Sequence, residues 1–254
     1  RSSDLPLVSP FTIGVSSAAA FGASLNIVFG VGLFGSTKLG TVATAFLMAI
    51  SCALLLFFIA LNVGLSATSI VLTGTAMNYF FQALSTSVQF VANEAQLAEV
   101  VAWSFGSVNG AGWEDVKICS SITLVSFIVL FSLSRSLTII STMDDDISQT
   151  MGVNLKLVRG TATIFSVITT ASIISFTGII GFVGLAAPHI ARSITGSDYK
   201  YFLVVAGFLG AILLLVSDTI GRTIFTPIMI PVGIVISFVG VPLFIYQVVL
   251  ANKK

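Results

Sequence analysis

The residues with the most varied chemistry lie together in one short stretch, 178–192, of an otherwise apolar region. His189 is the only histidine of the chain, and Arg192 follows it at i+3, so both side chains fall on one face of a helix. An imidazole there could hydrogen-bond a backbone carbonyl, relay a proton or ligate a metal ion. The structural role is favoured, because the sequence has no second histidine to complete a metal site or a relay.

Glycines and a proline shape the same stretch. Gly178, Gly181 and Gly184 recur every three residues, a spacing that lets a neighbouring element approach the backbone closely. Pro188 lacks an amide hydrogen and bends or restarts any helix that contains it. We therefore predict a bent, closely packed element. Its structural motif consists of Gly181, Gly184, Pro188, His189 and Arg192.

Motifs for catalysis or cofactor binding are weak or missing. The segment 30–35 matches GxGxxG, but it closes an apolar run instead of following a strand. The sequence contains no P-loop, HExxH or GxSxG motif, and Cys52 and Cys119 lie in apolar runs without a CxxC pattern. We predict neither an enzyme nor a bound cofactor or metal ion.

The composition indicates a polytopic membrane protein. Of 254 residues, 56% are hydrophobic and 8% are charged, with a mean hydropathy of +1.08, whereas soluble domains carry about 25% charged residues. No basic run could follow a nucleic-acid backbone, so nucleic-acid binding is excluded. A helix needs about 20 apolar residues to span a membrane. We predict about eight spans, at roughly 11–30, 40–60, 67–91, 117–134, 160–178, 182–195, 201–220 and 232–250.

Lysine and arginine positions predict the orientation in the membrane. One side carries Arg1, Arg135, Lys156, Arg159, Arg192, Lys200, Lys253 and Lys254, and the other carries Lys38, Lys117 and Arg222. Because cytoplasmic loops hold the excess of basic residues, the first group marks the inside, and both termini are cytoplasmic. The chain begins at Arg1 without a signal peptide, and we expect a segment to be missing before it.

The outer loop, 93–114, is longer than a simple connection requires. Helical spacing over 95–103 predicts a short helix at the outer surface, with Trp103 and Trp113 as membrane-interface anchors. Glycines after this segment are expected to end the helix.

The inner loop, 135–159, is also long. Acidic residues at 144–146 and a glycine at 152 predict a second short capped helix. The loop is either a solvated connector or a docking surface for a cytoplasmic partner.

The third predicted span carries a polar stripe. Asn78, Gln82, Ser85 and Gln89 recur at i, i+4, i+7 and i+11 along one helix face. Such a stripe either forms interhelical hydrogen bonds or lines a wet translocation pathway. Charged residues are almost absent from the middle of the spans, so the energy for transport is expected to come from outside this chain.

Several segments, in order along nearly the whole chain, carry a family resemblance. They include Gly181-Phe-Val-Gly-Leu-Ala-Ala-Pro188-His189-Ile-Ala-Arg192, Ser217-Asp218-Thr-Ile-Gly-Arg222, and the segments 9–19, 103–113, 196–199, 231–235 and 240–246. Together they resemble the FecCD-type permeases of ATP-binding-cassette importers for ferric siderophores, haem and cobalamin. The resemblance implies ten helices per subunit, of which this chain matches the third to the tenth.

The resemblance implies an all-α permease domain, 1–254, that is N-terminally incomplete relative to the family. It also implies a homodimer in the plasma or inner membrane, two cytoplasmic ATPase subunits and one external substrate-binding protein.

Individual positions gain roles from the same resemblance. Arg222 matches an outer arginine that pairs with a glutamate of the binding protein, and Asn78, Gln82 and Ser85 lie on the helix that lines the pathway. The ATPase-coupling segment corresponds to Asp145, Asp146, Ile147, Gln149, Met151 and Gly152. Gln149 replaces a frequent arginine in this segment, and Asp144 replaces a frequent glycine.

These inferences predict an importer permease that works by alternating access and forms the path for an iron chelate, such as a siderophore or haem, or for cobalamin. The alternative is a secondary transporter or a small-solute channel without an ATPase. Scarce charge within the spans argues against the transporter, and the long inner loop argues against both.

Overall fold

The computed structural model describes residues 14–31, 38–63, 67–224, 229–238, 240 and 242, and these residues form helices and connections without a strand. The predicted all-α class is confirmed. The helices are α1 (Val15–Phe29), α2 (Lys38–Val63), α3 (Ala67–Phe90), α4 (Glu94–Ser104), α5 (Trp113–Ser132), α6 (Ser134–Thr142), α7 (Asp145–Thr150), α8 (Leu155–Thr177), α9 (Val183–Thr195), α10 (Tyr199–Thr223) and α11 (232–238).

Most predicted spans coincide with helices of the described part of the chain. Four of these helices are long and apolar enough to cross a membrane: α2 over Lys38–Ile59, α5, α8 and α10. Helix α1 is apolar but has only 15 residues. The number of eight spans stays a prediction. The chain termini, the start of the segment 9–19, most of 30–35 and the end of 232–250 lie outside the described residues.

The chain folds into two compact units, the first of which comprises Arg1–Cys119 and Val167–Ile180. Helix α1 is its central element and packs against α2, α3 and α4. Serine, alanine and glycine dominate the buried residues of α1, and small side chains allow close helix approach. At Gly22, an added Cβ would lie 2.8 Å from the Thr44 carbonyl carbon and 2.9 Å from Ala45 Cα.

The second unit comprises Ser120–Ser166 and Gly181–Lys254. Within it, α10 packs against α9 and α6. The Tyr199 amide donates to Thr138 Oγ1 at 3.0 Å, which ties α10 to α6. The Arg192 guanidinium lies 5.2 Å from the centre of the Tyr199 ring and 5.1 Å from that of Phe202, and it donates to the Tyr199 hydroxyl at 3.1 Å. That the chain acts as one permease domain stays a prediction.

The short helix predicted over 95–103 is confirmed as α4, and its location at the outer surface stays a prediction. Asn93 caps it: its side chain accepts from the Gln96 amide, and the Gln96 side chain accepts from the Asn93 amide. Trp113 is exposed, and its role as an interface anchor stays a prediction. Trp103 is half-buried and packs against the core of the first unit, and its role as an interface anchor stays a prediction.

Helix α6 was not predicted, because its segment was interpreted as part of the inner loop. The residues of α6 are largely serine, threonine and isoleucine, which have low helix propensity. Packing against α10 overrides this preference.

Candidate functional site

The predicted coupling segment forms helix α7, which is anchored at its first residue. Asp145 accepts two hydrogen bonds from Arg159, at 2.9 Å from one terminal nitrogen and at 2.7 Å from the other. This two-pronged pair joins the start of α7 to the first two turns of α8. The hydrogen bonds from Arg159, supported by its charge, hold the pKa of Asp145 below its ordinary value of 3.8.

One side of α7 is buried and the other is open. Ser148 is fully buried, and its hydroxyl donates to the Asp144 carbonyl at 3.1 Å. Ile147 is 49% exposed and Met151 is 54% exposed. Gly152 ends the segment with φ +83°, a conformation that favours glycine. The exposed members of the predicted coupling set also include Asp146 and Gln149.

Arg222 lies in the last turn of α10, where a cation interacts favourably with the helix dipole. Its Nε donates to Asp218 Oδ2 at 2.7 Å, one helical turn earlier. The Arg222 side chain remains 44% exposed. The guanidinium is therefore oriented by Asp218, while part of the side chain stays exposed.

The predicted polar stripe divides between two faces of α3. Ser85 is buried and its hydroxyl donates to the Phe81 carbonyl at 2.9 Å, whereas Gln82 is exposed and Asn78 is half-buried. A second polar row with the same spacing lies next to it and was missed. Its members are the exposed residues Thr75, Tyr79, Gln82 and Thr86.

The glycine-rich stretch 178–192 is not one helix, because α9 begins only at Val183. Gly178 has φ +72°, and an added Cβ would meet the Trp103 carbonyl oxygen and lie 3.1 Å from Gly106 Cα. Gly181 and Gly184 have open space at the Cβ position, so only Gly178 has the expected close approach.

The polar residues of that stretch belong to α9. Pro188 is inside α9, His189 is half-buried, and Arg192 makes the aromatic contacts described above. No group of three or more His, Cys, Asp and Glu side chains that could hold a metal ion occurs in the described ranges.

An ion pair between α2 and α5 was missed by sequence reasoning. Lys38 Nζ donates to Asp115 Oδ2 at 2.6 Å and to the Gly110 carbonyl at 2.7 Å, and the Gly112 amide donates to the same carboxylate oxygen at 2.9 Å. The pair ties the start of α2 to the first turn of α5, and the bond to the Gly110 carbonyl also holds the loop between α4 and α5. No sequence signal could have found it, because its partners are 77 residues apart.

Known proteins with similar sequences and structures are membrane permeases. The chain is 32% identical to the Fe(3+)-citrate import system permease protein YfmE of Bacillus subtilis, over 98% of this chain and 73% of that protein. It is 31% identical to the cobalamin import system permease protein BtuC of Halobacterium salinarum, over 95% and 63%.

A solved structure of a metal-chelate-type ABC transporter in an inward-facing conformation matches with a TM-score of 0.87. The identity is 29%, and the match covers 98% of this chain and 77% of that one. Residues 6–250 match the model of the FecCD transport family. The order of the helices, the motifs and this match over nearly the whole length show that the chain belongs to the FecCD transport family.

Proposed function

We propose that the chain is the transmembrane permease subunit of an ATP-binding-cassette importer, and that it forms the path for an iron chelate or cobalamin delivered by an external binding protein. The match to the FecCD family over residues 6–250 carries the proposal, and related permeases are named for ferric citrate and cobalamin import. ATP is hydrolysed by separate cytoplasmic subunits, and the permease itself is not an enzyme.

Helix α7 is the proposed contact with the ATPase. Ile147 and Met151 project from it at i and i+4, and each is about half exposed. Apolar side chains at a water-facing surface are stabilised when a partner covers them. Asp146 and Gln149 add polar groups elsewhere on the exposed part of α7, which suits a contact that must also form hydrogen bonds.

Arg222 is the proposed contact with the external binding protein. Asp218 orients its guanidinium from one side, and we expect the exposed part of the side chain to donate to a carboxylate of the partner. Such a charge pair at the rim of an interface sets orientation and association rate more than affinity. This role places the end of α10 outside, α7 inside, and both chain termini in the cytoplasm.

The exposed polar row on α3 supports a homodimer around a water-filled path. Tyr79 and Gln82 present polar groups at exposed positions of a long helix, and lipid would solvate those groups poorly. A path between two copies would instead surround them with water and substrate. The half-buried Asn78 lies beside this row, and Ser85 contributes to the packing behind it.

The first test is purification of the tagged protein from its native host, with mass spectrometry of the proteins that co-purify. Recovery of a P-loop ATPase and an external binding protein would support the proposal. Recovery of the chain alone, combined with ATP-independent solute flux in vesicles, would contradict it and favour a channel or carrier.

Two exchanges then test the contacts in vesicles that contain the whole transporter. We expect Ile147→Glu to abolish retention of the ATPase and Ile147→Leu to preserve it, because only the first places a charge in an apolar contact. We expect Arg222→Glu to abolish import without loss of folded protein. Lys117→Glu makes the same change of charge at another exposed outer position and is the matched control.

A further inference from the structure

We infer that Asp145 and Arg159 are positioning residues: their ion pair sets the rotation of α7, so that Ile147 and Met151 face the ATPase. This inference rests on the proposed function. It gives Asp145 a role within the chain, because both of its carboxylate oxygens already accept hydrogen bonds from Arg159.

Helix α7 has only six residues, and a helix this short is not stable by itself. Tertiary contacts must therefore hold it. The buried Ser148 packs one side of α7 against the protein, and the Val153 amide bonds to the Ser148 carbonyl at 3.1 Å. These contacts set how closely the helix approaches the protein, but one small side chain does little to restrict rotation about the helix axis.

The Asp145 carboxylate supplies the missing restriction. At about 100° per residue, Asp145 and Ile147 point in directions about 160° apart. When the Asp145 side chain is fixed against α8, the Ile147 side chain therefore points away from α8. Met151, at i+4 from Ile147, lies on the same side of α7 as Ile147. A two-pronged pair is suited to this task, since the planar guanidinium fixes both the distance and the angle of the carboxylate.

Arg159 lies near the start of α8, which is held in place by a cap and by buried side chains. The Asn154 side chain caps α8 by accepting from the Leu157 amide at 3.1 Å, and Leu155 and Val158 are buried in the first turn. A displacement of α7 by the ATPase is therefore passed through the ion pair to a rigid helix end. The pair positions the docking side chains and transmits their movement to α8.

The test begins with amide hydrogen exchange of the full-length permease in lipid discs, without any partner. We expect Asp145→Asn and Arg159→Met to raise exchange across α7 by about fivefold each, which corresponds to an exposed ion pair at the upper end of its usual strength. Arg159→Lys keeps the charge but not the two-pronged geometry and should give a smaller increase. Lys156→Met removes the same charge as Arg159→Met at a neighbouring exposed position and should leave exchange unchanged. Asp144→Asn removes the same charge as Asp145→Asn at the N-cap of α7, so it measures the loss of the helix-dipole interaction alone and should give a smaller increase than Asp145→Asn.

The second measurement uses the reconstituted transporter with its ATPase and compares substrate uptake per ATP hydrolysed. We expect the two pair-breaking variants to lower this ratio by about fivefold, with Arg159→Lys intermediate. A role in stability alone would lower the amount of folded transporter and leave the ratio unchanged.

The outcomes separate the inference from the proposed function. Unchanged exchange in Asp145→Asn, or raised exchange with an unchanged uptake ratio, would overturn the positioning role only. Failure of the wild-type permease to bind any ATPase would overturn the proposed function and, with it, the coupling role of the pair.

Discussion

Replacing Gly22 by alanine is expected to destabilise the first unit, although alanine is the better helix former. The new Cβ would lie 2.8 Å from the Thr44 carbonyl carbon and 2.9 Å from Ala45 Cα. Non-bonded carbon atoms normally approach to about 3.5–4.0 Å, so α1 and α2 would have to separate by about 0.7 Å. The contacted atoms belong to the backbone, and no side-chain rotation can relieve the clash.

The magnitude follows from two opposing effects. Overpacking in a close-packed region costs about 1–3 kcal/mol, and the buried core cluster around this contact includes Ala19, Ala23, Ala45 and Ala49. Removing a glycine from a helix interior contributes about 0.5–1 kcal/mol in the opposite direction. We expect a net loss of about 1.5 kcal/mol in the free energy of unfolding, which lowers the melting temperature by roughly 3–6 °C for a chain of this size.

The assay is thermal unfolding of the purified permease in one detergent, for the wild type and two variants. Gly207→Ala is the matched control, because Gly207 lies inside α10 and has open space at the Cβ position. It should melt at or slightly above the wild-type temperature. A Gly22→Ala protein that melts as high as the Gly207→Ala protein would refute the close contact between α1 and α2.

Three further predictions follow from the described geometry. Gly178→Ala should lower the melting temperature by several degrees, because φ is positive there and the new Cβ would meet a backbone carbonyl, whereas Gly181→Ala should not. Because the pKa of Asp145 is lowered in the folded protein, the stabilisation of α7 by its ion pair with Arg159 is fully present above pH 3.8 and is lost as the pH falls through the folded-state pKa. Amide exchange of α7, corrected for intrinsic rates, should therefore be steady from pH 7 to 5 and should rise at lower pH. A double-mutant cycle of Arg192→Met and Tyr199→Leu should give a coupling free energy of about 1 kcal/mol. A value near zero would show that the contact between the two side chains does not stabilise the protein.

Several features could be predicted from the sequence because their causes are local. Apolar runs of sufficient length predicted the helices, and the pair Asn93 and Gln96 lies at the spacing of a capping box, which the structure contains. The short helix α7 was predicted from its acidic start and its closing Gly152. The family was also accessible from the sequence, since its motifs are continuous segments in a fixed order.

Other features depend on contacts between residues far apart in the chain, and only the tertiary structure decided them. Arg159 lies 14 residues after Asp145, and several other charged residues of the inner loop were equally plausible partners. Periodicity placed Ser85 and Gln82 on one stripe, but the packing of α3 in the first unit buries the first and leaves the second exposed. The spacing of Gly178, Gly181 and Gly184 likewise did not distinguish the one close backbone contact from two open positions. Local sequence determines which helices form, whereas burial and ion pairing are set by the neighbours that each helix meets in the folded chain.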